Sequence, residues 1–206
     1  MSKNVLSSVF GKNRKRVAWV AFWLFFVVSG GIVLVNWLMS GGAFFGRSIS
    51  IYVGMEVWSS IVFGVANMVV VGLLGWYLWG VRQEWKMGKT WMGIVLLTML
   101  GLLVTSWFPM KLFDIEWINV THQVASRGMF VLAILLAIAN LAKFGVREET
   151  AEARVINWLF LGYAVICGMM FVSGDVFWEN VLWVESVYVG MMFAVLMSVP
   201  EKMTKK

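Results

Sequence analysis

The sequence predicts an all-α fold, a polytopic transmembrane bundle of six helices. Three observations predict it: 61% of the 206 residues are hydrophobic, the mean hydropathy is +0.82, and six long apolar runs alternate with short polar gaps. Soluble domains devote about a quarter of their residues to charge, against 14% here. Each helical crossing of a ~30 Å hydrocarbon core takes roughly 20 apolar residues, so about six crossings fill a chain of this length.

The apolar runs define the predicted helices in order. The first follows a basic stretch at residues 12–16, as in a signal peptide, but it exceeds the usual apolar core of about 7 to 15 residues and is expected to be retained. Only helices and closed barrels satisfy the backbone in lipid, and these runs are too long for barrel strands. Helices are therefore expected at residues 17–38, 57–80, 90–109, 123–142, 155–174 and 181–199.

Basic residues are distributed unequally between the two ends of the predicted bundle. Fourteen of the 17 Lys and Arg residues lie in the tails or in the gaps after the second and fourth runs, and Arg127 lies within the fourth run. Loops rich in Lys and Arg remain on the cytoplasmic side of a membrane. Because both tails share the basic side with these loops, both termini are expected in the cytoplasm. The sequence thus predicts a multi-pass protein of the cell membrane, and the net charge of +6 reflects topology and indicates no nucleic-acid partner. The predicted organisation is a basic tail over 1–16, a membrane domain over 17–199 and a basic tail over 200–206.

The fourth run carries small residues at helical spacing. Ala125, Met129, Ala133, Ala137 and Asn140 recur every three or four positions and share one helix face. Helices associate in lipid through close backbone approach at small side chains, because lipid provides no hydrophobic drive for their association. We expect another helix to pack closely against this face.

Two opposite charges are predicted at one depth in the outer leaflet. With ~1.5 Å of rise per residue, Arg127 lies about 24 Å above Lys143, and Glu185 lies about 22 Å above Pro200. An unpaired arginine deep in a bilayer costs about 2.5 to 3.5 kcal/mol, so Arg127 requires a partner or a water-filled cavity. The two charges either line a pocket that binds a headgroup or moves a proton, or they clamp two helices together. Arg127 alone can also snorkel to the surface.

His122 is the only histidine, and the same arithmetic places it at the outer boundary. A lone interfacial histidine is usually a hydrogen-bonded structural group, whereas an acid-base or metal role needs partners from other helices. The acidic residues available for that role are Glu56, Asp114, Glu116 and Asp175. One histidine and one cysteine cannot supply the paired ligands or thiols of haem, zinc or disulfide-exchanging enzymes. We predict no cofactor and no metal site.

A short motif connects the third and fourth runs. Residues 106–109 read Ser-Trp-Phe-Pro, and residues 121–126 read Thr-His-Gln-Val-Ala-Ser. This pattern resembles the Phe-Pro, short outer loop and His-x-x-Ala of a group of six-helix membrane proteins. The group comprises bacterial and archaeal proteins of unknown function and the eukaryotic DRAM/Frag/Sfk relatives, which are linked to autophagy, lipid remodelling and membrane signalling without a settled enzymatic activity. The resemblance singles out Phe108, Pro109 and His122, with Glu185 as a weaker match.

Pro109 has a physical role of its own in this motif. It lacks an N–H and restrains the residue before it, so the third helix is expected to stop there. The loop that follows would then orient His122.

These residues together predict an outer-facing polar pocket lined by Glu56, His122, Arg127 and Glu185. The leading hypothesis is a nonenzymatic membrane protein that recognises a lipid headgroup or a partner there, the partners being membrane lipids, another membrane protein or a second copy of the chain. One alternative is a small-solute or proton-coupled transporter, which needs a continuous polar path to the cytoplasm. The other is an intramembrane hydrolase, which needs an acid within hydrogen-bond reach of His122.

Overall fold

The computed structural model describes residues 14–40, 48–109, 115–144, 151–173 and 181–199. Over these residues the chain is entirely helical apart from its turns, which confirms the all-α prediction. Most of the two predicted tails, including the whole of 200–206, lies outside the described residues. The helices are α1 (Arg14–Ser40), α2 (Ile49–Val53), α3 (Val57–Trp85), α4 (Lys89–Trp107), α5 (Glu116–Phe144), α6 (Ala151–Ser173) and α7 (Val181–Met197).

Five of these helices, α1 and α3 to α6, are long and apolar enough to cross a membrane. The sixth apolar run forms α7, a shorter apolar helix of 17 residues. Each predicted run therefore coincides with a helix, although several helices are longer than their runs: α3 continues past residue 80 to Trp85, and α5 begins about two turns before residue 123, at Glu116. α2 lies in a gap between runs and was not predicted.

The outer surface of the bundle is apolar. Large hydrophobic side chains remain exposed on the long helices, among them Trp23 at 59%, Val124 at 67% and Val172 at 87%. Soluble proteins rarely expose contiguous apolar surface on this scale. The described surface therefore suits a lipid environment, in agreement with the composition.

Successive long helices run in opposite directions, so the bundle has two ends. At the end that contains His122, here called the histidine end, the Asn36 side chain in α1 donates to the Tyr52 carbonyl 2.9 Å away in α2. At the opposite end, here called the asparagine end, the Trp85 ring of α3 packs edge-on against the Phe144 ring of α5, with centroids 5.0 Å apart. α7 closes the bundle by packing against α1, α5 and α6.

α4 packs closely against the small-residue face of α5. A Cβ atom added to Gly101 of α4 would lie 3.0 Å from the Met129 Cβ and 3.3 Å from the Ala125 carbonyl oxygen. Ala133 and Ala137, further along the same face, are completely buried. The prediction that a helix approaches this face is confirmed, and α4 is that helix.

We expect Gly101→Leu to destabilise the protein, because its side chain would force α4 away from the Met129 backbone. Overpacking of this kind costs about 1 to 3 kcal/mol of unfolding free energy. The measurement is SDS-induced unfolding of the purified protein in mild detergent. Gly93→Leu is the matched control, since a Cβ at Gly93 in the same helix meets nothing within 4 Å. Equal stability of the two variants would contradict this packing.

A buried polar network joins four helices at the asparagine end. Trp91 Nε1 in α4 donates to Asn140 Oδ1 in α5 at 2.9 Å, and Asn140 Nδ2 donates at 3.3 Å to both Asn157 Oδ1 in α6 and the Val195 carbonyl in α7. Asn157 Nδ2 also donates to Ser198 Oγ at 3.1 Å, directly after α7. Lipid offers these amides no alternative partner, so the network stabilises the relative register of the four helices.

Trp91→Phe should lower the free energy of unfolding by about 1 kcal/mol, because the interhelical hydrogen bond to Asn140 is lost while most of the aromatic packing remains. Trp158→Phe makes the same chemical change at a side chain that is 62% exposed, and its effect should be close to zero. Chemical or thermal unfolding in detergent measures both variants. An effect of Trp158→Phe as large as that of Trp91→Phe would show that the hydrogen bond from Trp91 to Asn140 does not contribute to stability.

Candidate functional site

The short helix α2 forms part of the wall of the site at the histidine end. Its residues Ile49, Tyr52 and Val53 are buried. This i, i+3, i+4 spacing is typical of a helix that buries one face, and it is the signal in the sequence by which α2 could have been found. The gap between the first two apolar runs therefore contains packed structure that turns back into the bundle.

Side chains of α1 and α3 hold the C-terminal end of α2. Asn36 of α1 contacts the Tyr52 carbonyl, and the hydroxyls of Ser59 and Ser60 in α3 donate to the Val53 carbonyl at 2.9 and 2.8 Å. The last carbonyls of a helix have no partner within the helix itself, so the two serine hydroxyls satisfy the Val53 carbonyl, and Asn36 adds a hydrogen bond to the Tyr52 carbonyl, which also accepts from the Met55 N–H. They fix the position of α2 against the long helices.

Glu185 of α7 holds the N-terminal end of α2. Its Oε2 accepts a hydrogen bond from the Ile49 backbone N–H at 2.9 Å. Ser48 stands at the N-cap position without a side-chain cap hydrogen bond, and its hydroxyl instead lies 2.8 Å from that of Ser50. The carboxylate therefore satisfies one of the free N–H groups at the start of the helix. Glu185 Oε1 forms no hydrogen bond within the part of the chain that the structure describes.

His122 connects the start of α5 to the end of α4. α4 ends at Trp107, and the His122 Nδ1 lies 2.8 Å from the Phe108 carbonyl oxygen. A carbonyl can only accept, so Nδ1 donates this hydrogen bond. The imidazole is 4% exposed, and the Phe108 ring packs edge-on against Trp117, with centroids 5.9 Å apart. α4 stops before Pro109 as predicted, and the carbonyl exposed by that stop becomes the partner of His122.

His122→Ala should lower the free energy of unfolding by about 1 to 3 kcal/mol, because the Phe108 carbonyl is left buried without its donor. Gln123→Ala is the neighbouring control, since the Gln123 side chain forms no hydrogen bond in the described ranges. Unfolding in detergent compares the two. If His122→Ala is as stable as Gln123→Ala, the histidine does not tether α5 to α4.

A cavity of about 560 Å³ lies between α2, α5, α6 and α7. Polar side chains line its wall at the histidine end, whereas apolar side chains line it both there and one to three turns further along α5. The polar lining includes Ser48, Ser50, His122, Ser126, Arg127 and Glu185. The apolar lining includes Phe130, Val131, Ile134, Ala164, Phe171 and Val184. The wall is therefore mostly apolar, with its polar side chains grouped at the histidine end.

The structure brings three of the four predicted pocket residues to this cavity. His122 and Glu185 are buried and half-buried respectively, and Arg127 is exposed. Glu56 is not among the lining residues: it is exposed at the N-cap position of α3, without a side-chain cap hydrogen bond. Phe108 is likewise not among the lining residues, but its carbonyl accepts a hydrogen bond from His122, which does line the cavity.

Arg127 and Glu185 do not pair directly. The ion pair found between described residues joins Arg14 of α1 to Glu84 of α3 and involves neither charge of the cavity. Arg127 forms no hydrogen bond or ion pair in that part of the chain. A direct clamp between the two charges, one of the two interpretations of the sequence, is thus not formed, and both charges line the same cavity.

Two tyrosines near the cavity were not singled out from the sequence. The Tyr188 hydroxyl of α7 donates to the Phe130 carbonyl of α5 at 2.9 Å, and the Tyr163 hydroxyl of α6 donates to the Val184 carbonyl at 3.2 Å. A phenol within an apolar helix needs an acceptor on a neighbouring helix, and this requirement is the signal that could have identified them. Their hydrogen bonds hold the three helices around the cavity.

No protein-family model, no curated protein and no solved structure matches this chain. The resemblance carried by residues 106–109 and 121–126 therefore stays a prediction. Within the described ranges, no group of three or more His, Cys, Asp or Glu side chains is placed to hold a metal ion.

Proposed function

We propose that this protein is a nonenzymatic, six-span protein of the cell membrane that binds the headgroup of a membrane lipid in the cavity between α5, α6 and α7. One observation carries the proposal: Arg127 and Glu185, two charges in apolar helices, line one cavity without neutralising each other. Uncompensated charges at membrane depth are costly, so a polar ligand or water must compensate them. The apolar remainder of the wall suits an acyl chain.

The cavity lies in the outer leaflet in this proposal. Both termini are placed in the cytoplasm because 14 of the 17 Lys and Arg residues lie on their side of the predicted topology. α7, with 17 residues, is about 26 Å long at ~1.5 Å per residue. That length is slightly below a ~30 Å core, and a bilayer accommodates such a mismatch by local thinning.

The contacts of the cavity favour lipid binding over the two alternatives. Transport would need a polar path from the cavity to the asparagine end, but completely buried Leu136, Phe160 and Phe193 occupy the intervening core. Hydrolysis would need an acid beside His122, and no described carboxylate lies within hydrogen-bonding distance of it. The imidazole Nδ1 is already committed to the Phe108 carbonyl.

The proposal is tested by the lipid that the full-length protein retains during purification in mild detergent, quantified by mass spectrometry of the extract. Gly168→Phe, which places a ring in the cavity, should reduce retention several-fold. Gly162→Phe on the same helix is the control: a Cβ at either glycine meets nothing within 4 Å, but only Gly168 lines the cavity.

Arg127→Ala should also reduce the retained lipid, by about tenfold, because a charge-assisted hydrogen bond to the headgroup is lost. Arg16→Ala, which removes an exposed arginine at the asparagine end, should leave retention unchanged. Retention that is equal in the wild type, Gly168→Phe and Arg127→Ala would contradict the proposed function.

A further inference from the structure

We infer that the ligand is a zwitterionic phospholipid with a protonated amine, whose phosphate binds Arg127 and whose ammonium binds Glu185. This inference rests on the lipid-binding function proposed above and specifies the chemistry of the headgroup. It follows from the presence of one cation and one anion that line the same cavity and have no ionic partner among the described residues.

The unused bonding capacity of Glu185 matches an ammonium group. Its Oε2 is committed to the Ile49 N–H, and Oε1 has no partner among the described residues. A carboxylate oxygen can only accept, and a primary ammonium provides three donors. Val181, Val184 and Tyr188, on the same helix as Glu185, also line the cavity, so the carboxylate lies beside apolar side chains. An ammonium compensates the charge and the open acceptor together.

The unused capacity of Arg127 matches a phosphate group. The guanidinium has five donors in a planar fork and uses none of them within the described ranges. This geometry binds phosphate through two parallel hydrogen bonds. A purely anionic headgroup would satisfy Arg127 but would add negative charge to the cavity that Glu185 also lines. A headgroup that carries both charges avoids that excess of negative charge.

The apolar part of the cavity indicates that the zwitterion carries an acyl chain. Phe130, Val131 and Ile134 follow Arg127 along α5 and line the cavity one to two turns further towards the middle of the bundle. A free phosphoethanolamine would leave this apolar wall uncovered. A phospholipid would cover it with an acyl chain, whose packing against these side chains contributes dispersion contacts.

The test compares the binding of dioleoyl-phosphatidylethanolamine and dioleoyl-phosphatidylglycerol to the full-length protein by native mass spectrometry in detergent. The two lipids share their acyl chains and phosphate, but only phosphatidylethanolamine carries an ammonium, which an uncharged glycerol replaces in phosphatidylglycerol. We expect about tenfold preference for phosphatidylethanolamine, the effect of one hydrogen bond between charged groups. N-acetylated phosphatidylethanolamine, which lacks the charge, should bind as weakly as phosphatidylglycerol. This arm uses the wild-type protein and needs no variant to fold.

Glu185→Gln should abolish the preference. The amide oxygen still accepts from the Ile49 N–H, so the variant removes the charge and keeps the hydrogen bond that holds α2. Glu56→Gln is the matched control, since Glu56 does not line the cavity, and it should keep the wild-type preference. Free phosphoethanolamine should bind at least about tenfold more weakly than the lipid, because it lacks the acyl chain that packs against the apolar side chains of the cavity.

The outcomes separate this inference from the function on which it rests. Lipid binding that Gly168→Phe blocks, but without preference for phosphatidylethanolamine, would overturn the headgroup assignment and leave the lipid-binding function standing. Binding that is insensitive to Gly168→Phe would overturn the function itself. Free phosphoethanolamine bound as tightly as the lipid would show a soluble zwitterion to be the ligand and would also overturn the inference.

Discussion

Polar groups inside an apolar bundle must find their partners within the protein, and this constraint organises the whole structure. The hydroxyls of Thr98 and Ser106 donate to carbonyls four residues earlier in their own helix. The Asn140 side chain of α5 instead forms hydrogen bonds with residues of α4, α6 and α7. The hydrogen bonding of Asn67 is incomplete. Its Nδ2 donates to the Phe63 carbonyl, but its buried Oδ1 has no partner in the described part of the chain. Side chains of this kind decide how apolar helices align, since lipid does not distinguish one alignment from another.

The same constraint links helix ends to the cavity. α4 stops before Pro109, and His122 donates to the Phe108 carbonyl beside that stop. α2 begins without a side-chain cap from Ser48, and Glu185 accepts from its first N–H. Each of these two polar side chains therefore contributes to the fold and still faces the cavity. A structural role and a ligand-binding role are compatible here, because one atom of each side chain holds a helix end while the side chain also lines the cavity.

The candidate site was predictable only in part, for a geometrical reason. Rise along a helix gives depth, and depth placed Arg127 and Glu185 at one level of the membrane. Depth does not give direction around the helix axis or the path of the connecting segments. Glu56 was assigned to the pocket on depth alone, but it lies exposed at the start of α3 and outside the cavity lining. α2 escaped prediction because five residues are too few for an apolar run, although they contribute part of the wall.

The sequence by itself determined the all-α class, the positions of the apolar helices and the small-residue face of α5. These properties depend on hydropathy, run length and helical spacing, and all three are local. The tertiary structure alone decided that Arg127 and Glu185 line a cavity without pairing, that Glu185 binds α2, and that His122 binds the Phe108 carbonyl. Those contacts join residues from different helices, up to 136 positions apart in the chain. They depend on helix rotation and packing, which hydropathy does not encode because every side of these helices is apolar.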